Sequence, residues 1–364
     1  MPRIIVTLLI TALIATLLTP LVRKIAQRIG ALDRPNARRV NQVPMPTMGG
    51  LAIFIAFAVA NFCLLRDQYP GRQLTWLFVA ECVIIITGML DDLFELRPFQ
   101  KLIGITIAAV ITYCAGIRMA MVTLPFTGEV HLHWLSLPAT LVWIIAITNA
   151  LNLIDGLDGL ATGVACIALT TSALIGYFFL GTANIFVSIM MLVLVAAMLG
   201  FLPYNFYPAK IYLGDTGSLF IGFMIAVFSL YGLKNATIIS VIIPVIILGV
   251  PITDTVSAIL RRALNKKPIM QADKHHLHHR LMAMGLSHRQ TVLVIYGIAL
   301  IFSLISLLYA LSSFWGALIL TVAVLLGVEL FVEAIGLVGS HRQPLLDLIR
   351  IIVLREEPQD GRRH

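Results

Sequence analysis

Charge is what this chain has least of. Asp, Glu, Lys and Arg make up 12% of its 364 residues, where soluble domains carry about 25%. Apolar residues reach 59% and the mean hydropathy is +0.95. That balance excludes an ordinary soluble domain and leaves a polytopic membrane protein. Cysteine is scarce too. Cys63, Cys82, Cys114 and Cys166 each lie in or beside an apolar segment, and none forms a C-x-x-C pair. They read as small hydrophobes, which excludes a disulfide or zinc framework. No G-x-x-x-x-G-K-[ST] and no G-x-G-x-x-G occurs, so ATP-driven transport and dinucleotide binding lose support. There is no low-complexity stretch and no soluble domain. The first apolar run is long enough to span and lacks a clear cleavage site, so a cleavable signal peptide is not expected.

What is present in quantity is the apolar run. Eleven candidate spans of about 17–24 residues fall near 4–22, 48–65, 74–90, 101–117, 135–150, 160–179, 184–202, 216–232, 237–260, 290–310 and 315–336. The expected fold is an all-α polytopic membrane protein. It has one membrane domain over 1–340, polar loops at 23–47, 91–100, 149–159, 203–215 and 261–289, and a tail at 341–364. Net charge is +8 and the isoelectric point about 9.5. In a soluble protein that would suggest nucleic acid. Here 21 of the 26 Lys and Arg fall on one side of the eleven-span layout, among them Arg23, Lys24, Arg28, Arg261, Arg262, Lys266 and Lys267. Only Arg3, Arg66, Arg72, Arg118 and Lys234 fall on the other. Positive-inside bias then puts the N-terminus outside and the C-terminus in the cytoplasm. The loop 118–134 alternates weakly, which suggests a small hairpin. The tail suggests a short interfacial helix over 344–354.

The same parity gathers four polar islands on the cytosolic face: Asp91-Asp92, the stretch Asn149–Gly163, Gly214-Asp215-Thr216-Gly217-Ser218, and the histidine-rich 275–280. Within Asn149–Gly163, Asn152, Asp155 and Asp158 are spaced by three, so neighbouring pairs share a helical face. Oxygens grouped this way suit a hard metal or phosphate; a polar surface loop is the plainer reading. Asp91 and Asp92 are costly at a membrane surface unless paired with cations, metal or water, and Lys101 can reach back to them. An interfacial cap with a snorkelling lysine is the alternative. Asp215 adds a second carboxylate on the face of Asp155, and two hard ligands from separate loops fit Mg²⁺. Asp, Thr and Ser at a helix start are also ordinary caps. Tyr212 offers a ring for a base to stack on, or an interfacial anchor. His276, His278, His279 and Arg280 suit an electropositive cradle for a diphosphate. A zinc site is the rival, weakened by crowded spacing and absent cysteines. Asp254, near Arg261 and Arg262, reads as their partner or as lining a polar cavity. In the first cytosolic loop, Pro44, Pro46 and Gly49-Gly50 make a rigid entry to the second span, and the glycines let that span pack closely.

Taken in order, D-R-P-N at 33–36, P-x-P-x-x-G-G at 44–50, G-x-x-D-D at 88–92, N-x-x-D-G-x-D-G-L at 152–160, G-D-T-G-S at 214–218 and the histidine loop resemble the polyprenyl-phosphate N-acetylhexosamine-1-phosphate transferases. D-K-H-H-L-H-H-R followed by G-L-S-H-R-Q resembles the branch using UDP-GlcNAc for wall teichoic acid, O-antigen or enterobacterial-common-antigen precursors. The phospho-MurNAc-pentapeptide transferases are the alternative branch. Asn41 departs from the family, where many relatives have His.

The resemblance implies transfer of GlcNAc-1-phosphate from UDP-GlcNAc to undecaprenyl phosphate with release of UMP. It implies a bacterial inner membrane location with a cytoplasmic site, and Mg²⁺ as the cofactor with Mn²⁺ as an alternative. Asp215 and Asn152 would hold the metal, with Asp155 either assisting or only shaping the turn. Asp158 would contact uracil with Tyr212 stacked on it. Lys101, His279 and Arg280 would neutralise phosphate oxygens, with Asn205, His276 and His278 also near phosphate or sugar. Asp91 or Asp92 would position or deprotonate the lipid phosphate. Expected partners are the two substrates and the bilayer, without nucleic acid; a homodimer is left open. Ion-coupled transport is the rival from another class. It expects carboxylates near the midplane, whereas those singled out here gather at one face.

Overall fold

The computed structural model describes residues 2–33, 44–65, 71–124, 128–179, 185–232, 238–266, 275–338 and 344–349. Arg34–Asn36, Asn41, Asp273 and Lys274 lie outside them, as does the tail after Ile349. Among the described residues the chain is helical, with two small antiparallel strand pairs. Helix α1 (Pro2–Ile29) is followed by the two-residue strands β1 (Leu32–Asp33) and β2 (Met45–Pro46), which pair antiparallel. Next come α2 (Gly50–Val59) with a π-helical end at Ala60–Leu64, α3 (Gly71–Phe94) and α4 (Pro98–Cys114). The hairpin β3 (Met121–Leu124) and β4 (Gly128–His131) falls inside the loop whose alternation suggested one. Then follow α5 (Ser136–Ile154), α6 (Leu160–Phe179), α7 (Ile185–Asn205), α8 (Gly214–Gly232), α9 (Ile238–Ile247), α10 (Gly249–Leu264), α11 (Leu277–Ala283), α12 (His288–Leu311), α13 (Phe314–Ile335) and α14 (Pro344–Ile349).

Among the described residues, seven helical stretches are long and apolar enough to cross a bilayer: Pro2–Ile29, His133–Ile154, Leu160–Phe179, Ile185–Asn205, Gly214–Tyr231, His288–Leu311 and Phe314–Ile335. Gly50–Leu64 and Pro98–Cys114 are shorter apolar helices. Two expected spans need comment. The run at 74–90 lies within α3, which holds a buried glutamate, Glu81, that the sequence reading did not single out. The run at 237–260 is not one helix but two, α9 and α10, parted at Leu248. Pro251 has no N–H to offer the Ile247 carbonyl, and the helical ladder lapses there.

Helix α8 is the hub, packed on α2, α3, α5, α6, α7 and α9. Phe220, Phe223 and Phe228 are fully buried on it. Its neighbours approach so closely because glycine stands at the crossings. A Cβ on Gly50 of α2 would lie 2.0 Å from Gly217 Cα, and one on Gly88 of α3 would lie 2.4 Å from Thr216 Cα. The ends of α2 and α3 thus lie backbone to backbone against the first turn of α8. Packed on α7 and α2, α1 turns Thr7, Thr11, Ala15 and Thr19 inward and leaves Leu9, Leu13, Leu17 and Leu21 exposed. Small residues face α7 and leucines face outward, as expected where helices pack inside lipid. Thr11 and Thr19 donate to carbonyls of their own helix, so the buried hydroxyls are satisfied.

Candidate active site

The polar islands converge at the start of α8. Pro46, Gly49 and Gly50 form the seam that ties the first loop to the segment before this helix. The Tyr212 N–H donates to the Pro46 carbonyl at 2.8 Å; the Gly49 and Gly50 N–H groups donate to the Tyr212 and Leu213 carbonyls, each at 3.0 Å. The orphan donors at the start of α2 are therefore answered by the segment that delivers Asp215. The proline-glycine turn read from the sequence is a structural clamp on the site.

Asp91 and Asp92, adjacent at the end of α3, do different things. Asp92 receives the amides of Asp215 and Thr216, each at 3.0 Å, the Thr216 hydroxyl at 2.6 Å and the Thr47 hydroxyl at 3.0 Å. It caps α8 from another helix. Asp91 instead meets Lys101, from the first turn of α4, with Oδ2 2.6 Å from Nζ. The same Nζ lies 2.9 Å from Asp215 Oδ1. Asn152 donates to that Asp215 oxygen and to Ser218 Oγ, the latter at 2.8 Å. Three helices and the start of a fourth therefore bring Asp91, Lys101, Asn152 and Asp215 into one cluster. Replacing Asp92 with alanine is expected to cost about 2 kcal/mol through the lost cap, more than the same change at Asp91. Thermal melts of the two variants in detergent check this; equal losses would contradict the division of labour.

Asp155, the residue after α5, is held well above the usual carboxylate range. Burial is the main cause, followed by the charges of Asp215, Asp92 and Asp158. Four acidic groups thus crowd one another, a repulsion that a divalent cation relieves. Among the described residues no three His, Cys, Asp or Glu form a ready metal cage. Lys101 already bridges Asp91 and Asp215. This donor set fits Mg²⁺ that arrives with a diphosphate, since that ion uses one or two carboxylates and takes its other ligands from phosphate and water. Asn152 would need to turn its amide oxygen toward the ion.

Beyond this cluster, Asp158 accepts the Ala209 N–H through Oδ2 at 2.9 Å, and its own N–H donates to His288 Nε2 at 3.0 Å. The His288 ring lies on Tyr207, centroids 4.6 Å apart. Tyr296 donates its hydroxyl to the Gly159 carbonyl. His288, Tyr207 and Tyr296 were not among the expected site residues; only the histidine of G-L-S-H-R-Q hinted at one of them. Tyr212 enters through the backbone seam described above. Asn205 is placed by hydrogen bonds within the protein. It is buried, its amide oxygen accepts from Thr162 and its nitrogen donates to the Ile211 carbonyl. Both ends of the amide are engaged, so it holds the 205–211 segment.

The histidine loop reaches the site through His278, which packs on Gly156; a Cβ there would meet His278 Nε2 at 2.5 Å. Burial, then the neighbouring His279, push His278 down to about 3 against the pull of Asp254. It is neutral at neutral pH, so its place in the cradle is not that of a cation. The His279 ring lies 4.2 Å from that of His278. The buried Nε of Arg280 has no hydrogen-bond partner among the described residues, as expected of a donor awaiting an anion. His276 and Asp254 form a buried pair, Nδ1 to Oδ2 at 2.9 Å. Asp254 therefore has a partner that the sequence reading, which looked to Arg261 and Arg262, did not name.

The chain is similar to known proteins along nearly its whole length. Residues 74–233 match the model of glycosyl transferase family 4. The chain is 43% identical over 357 residues, covering 98% of both chains, to a Bacillus subtilis (strain 168) protein described as "Probable undecaprenyl-phosphate N-acetylglucosaminyl 1-phosphate transferase". It is 35% identical to the decaprenyl-phosphate N-acetylglucosaminephosphotransferase of Mycobacterium tuberculosis (strain CDC 1551 / Oshkosh), over 76% of this chain and 74% of that one. It is also 33% identical to the phospho-N-acetylmuramoyl-pentapeptide-transferase of Clostridium beijerinckii (strain ATCC 51743 / NCIMB 8052), over 71% of this chain and 81% of the other.

Proposed function

The chain belongs to glycosyl transferase family 4, the polyprenyl-phosphate N-acetylhexosamine-1-phosphate transferases, and from that premise we propose that it moves GlcNAc-1-phosphate from UDP-GlcNAc to undecaprenyl phosphate. The products are undecaprenyl-diphosphate-GlcNAc and UMP. This would be the first membrane step of an envelope polysaccharide or teichoic acid. The observation that carries the chemistry is Lys101 Nζ seated between Asp91 and Asp215 beside Asn152. Phosphoryl transfer asks mainly for positioning and charge stabilisation, and this cluster supplies both. The choice of GlcNAc over the pentapeptide sugar is supported by the higher identity and coverage of the Bacillus subtilis relative.

In the reaction, an oxygen of the lipid phosphate bonds to the β-phosphorus of the UDP-sugar. The bond from that phosphorus to the bridging oxygen breaks, and the electron pair leaves with UMP. Asp91 and Lys101 orient the lipid phosphate, while Lys101, His279 and Arg280 neutralise phosphate oxygens. Asp158 and Tyr212 receive the uridine. Asp215, Asn152 and Asp155 would hold Mg²⁺, which when bound offsets negative charge on the diphosphate oxygens. A covalent route through an aspartyl phosphate is the competing mechanism. Asp92 is poorly placed for it, because its oxygens already accept four hydrogen bonds.

The reading also takes eleven crossings with the N-terminus outside and the C-terminus in the cytoplasm of a bacterial inner membrane. The one-sided Lys and Arg distribution supports this. A donor panel tests the sugar. UDP-GlcNAc should give lipid-linked product with UMP, and UDP-GalNAc and UDP-MurNAc-pentapeptide should give far less. Preference for the pentapeptide donor would move the chain to the other branch. Incubation with donor alone should leave the protein unlabelled, and a trapped sugar-phosphoryl enzyme would sink direct attack.

A further inference from the structure

Asp254 is an acidic residue to which the transfer reaction assigns no task. It lies on α10 at 2% exposure, on the side opposite the outward Val256, Ile259 and Leu260. Both its oxygens are engaged. Oδ2 lies 2.9 Å from His276 Nδ1, and Oδ1 accepts the Leu277 N–H at 2.8 Å. His276 and Leu277 are the residue before α11 and its first residue. The His276 side chain makes no cap bond of its own. The first turn of α11 is therefore capped by a carboxylate from another helix, as Asp92 caps α8.

What α11 carries gives this cap its significance. His278, His279 and Arg280 all lie in its first four residues. The His276 ring is parallel to that of His278, 6.0 Å away, and His278 in turn packs on Gly156 in the Asn152–Asp158 stretch. One carboxylate thus fixes a ring and a backbone amide at the root of the turn that presents His279 and Arg280. Without it, the His276 ring would be free to rotate and a buried N–H would lose its acceptor.

We propose that Asp254 is a positioning residue for phosphate handling: it holds His276 and the first turn of α11 so that His279 and Arg280 meet the diphosphate of the donor. The proposal rests on the transfer reaction inferred above.

Purified full-length Asp254→Ala and Asp254→Asn test it, with hydrogen exchange of the 275–284 segment read by mass spectrometry and KM and kcat for UDP-GlcNAc read separately. Asparagine can still accept from Leu277 through its oxygen and donate to His276, so it should rescue. Expected for Asp254→Ala is faster exchange confined to 275–284 and a KM raised about tenfold or more, with a smaller loss in kcat. Asp254→Asn should restore slow exchange and most of the KM. Adding His276→Ala to Asp254→Ala should cost less than adding it to the wild type.

Wild-type exchange and KM in Asp254→Ala would overturn the proposal. So would faster exchange throughout the helices with no rescue by asparagine, which marks a purely structural residue. A wild-type protein that transfers no sugar phosphate would defeat the reaction reading while leaving the exchange result to stand or fall alone.

Discussion

Replacing Asp215 with asparagine lowers kcat/KM by about a hundred- to a thousandfold or more while leaving the protein folded. Asp215 is where the site's charge is concentrated. Its Oδ1 meets Lys101 and Asn152, and its own amide is held by Asp92. Asparagine keeps the shape and an oxygen for Lys101, so packing at the start of α8 survives. It removes the negative charge that would face a divalent cation and that pairs with Lys101. Stability should change little, because two effects oppose each other. The ion pair is weakened, but the crowding of Asp215 against Asp155 is also relieved. Transfer assays with a thermal melt in detergent check both halves. Full activity in a folded Asp215→Asn protein would refute the metal and charge assignment.

A second large effect comes from a residue with no chemistry of its own. Gly50→Ala should lower both stability and turnover, because the new Cβ would lie 2.0 Å from Gly217 Cα, 2.2 Å from Gly217 N and 2.7 Å from the Thr216 carbonyl carbon. These are backbone atoms of α8, which cannot swing aside as a side chain can. The two helices must part by more than an ångström. Overpacking of this kind costs about 1–3 kcal/mol. The shift also falls directly after Asp215, and a displacement near 1 Å at a reacting centre can cost about a hundredfold in rate. The check is a melting curve paired with kcat. A wild-type rate in Gly50→Ala would show that the α2–α8 seam does not position the site. Alanine at Gly327 on α13 is a control, since nothing lies within 4 Å of a Cβ there.

Much of the site was legible because polarity is so rare in this chain. Asp91, Asp92, Lys101, Asn152 and Asp215 stand out against apolar runs, and loop parity alone brought them to one face. The small hairpin at 121–131 showed through its alternation, and α14 covers 344–349, the described part of the tail helix expected over 344–354. What the sequence hid were the partners. Asp92 finds Thr216 across 124 positions, and Asp254 finds His276 across 22. No local spacing distinguishes a carboxylate that caps a distant helix from one that faces substrate. For the same reason Asp91 and Asp92 read as equivalent. The break between α9 and α10 was masked because Pro251 sits in a run apolar enough to count as one span. The burial of His278 against Gly156 was hidden because it depends on how α11 docks.

The central claim is that a sugar phosphate, not a bare sugar, is transferred. UDP-GlcNAc carrying ³²P in the β-position, incubated with purified protein, Mg²⁺ and undecaprenyl phosphate, reads this directly. The expected result is label in the lipid product together with GlcNAc, and unlabelled UMP in the aqueous phase. Label leaving as UDP, with GlcNAc on an unlabelled lipid, or no lipid-linked sugar at all, would contradict it.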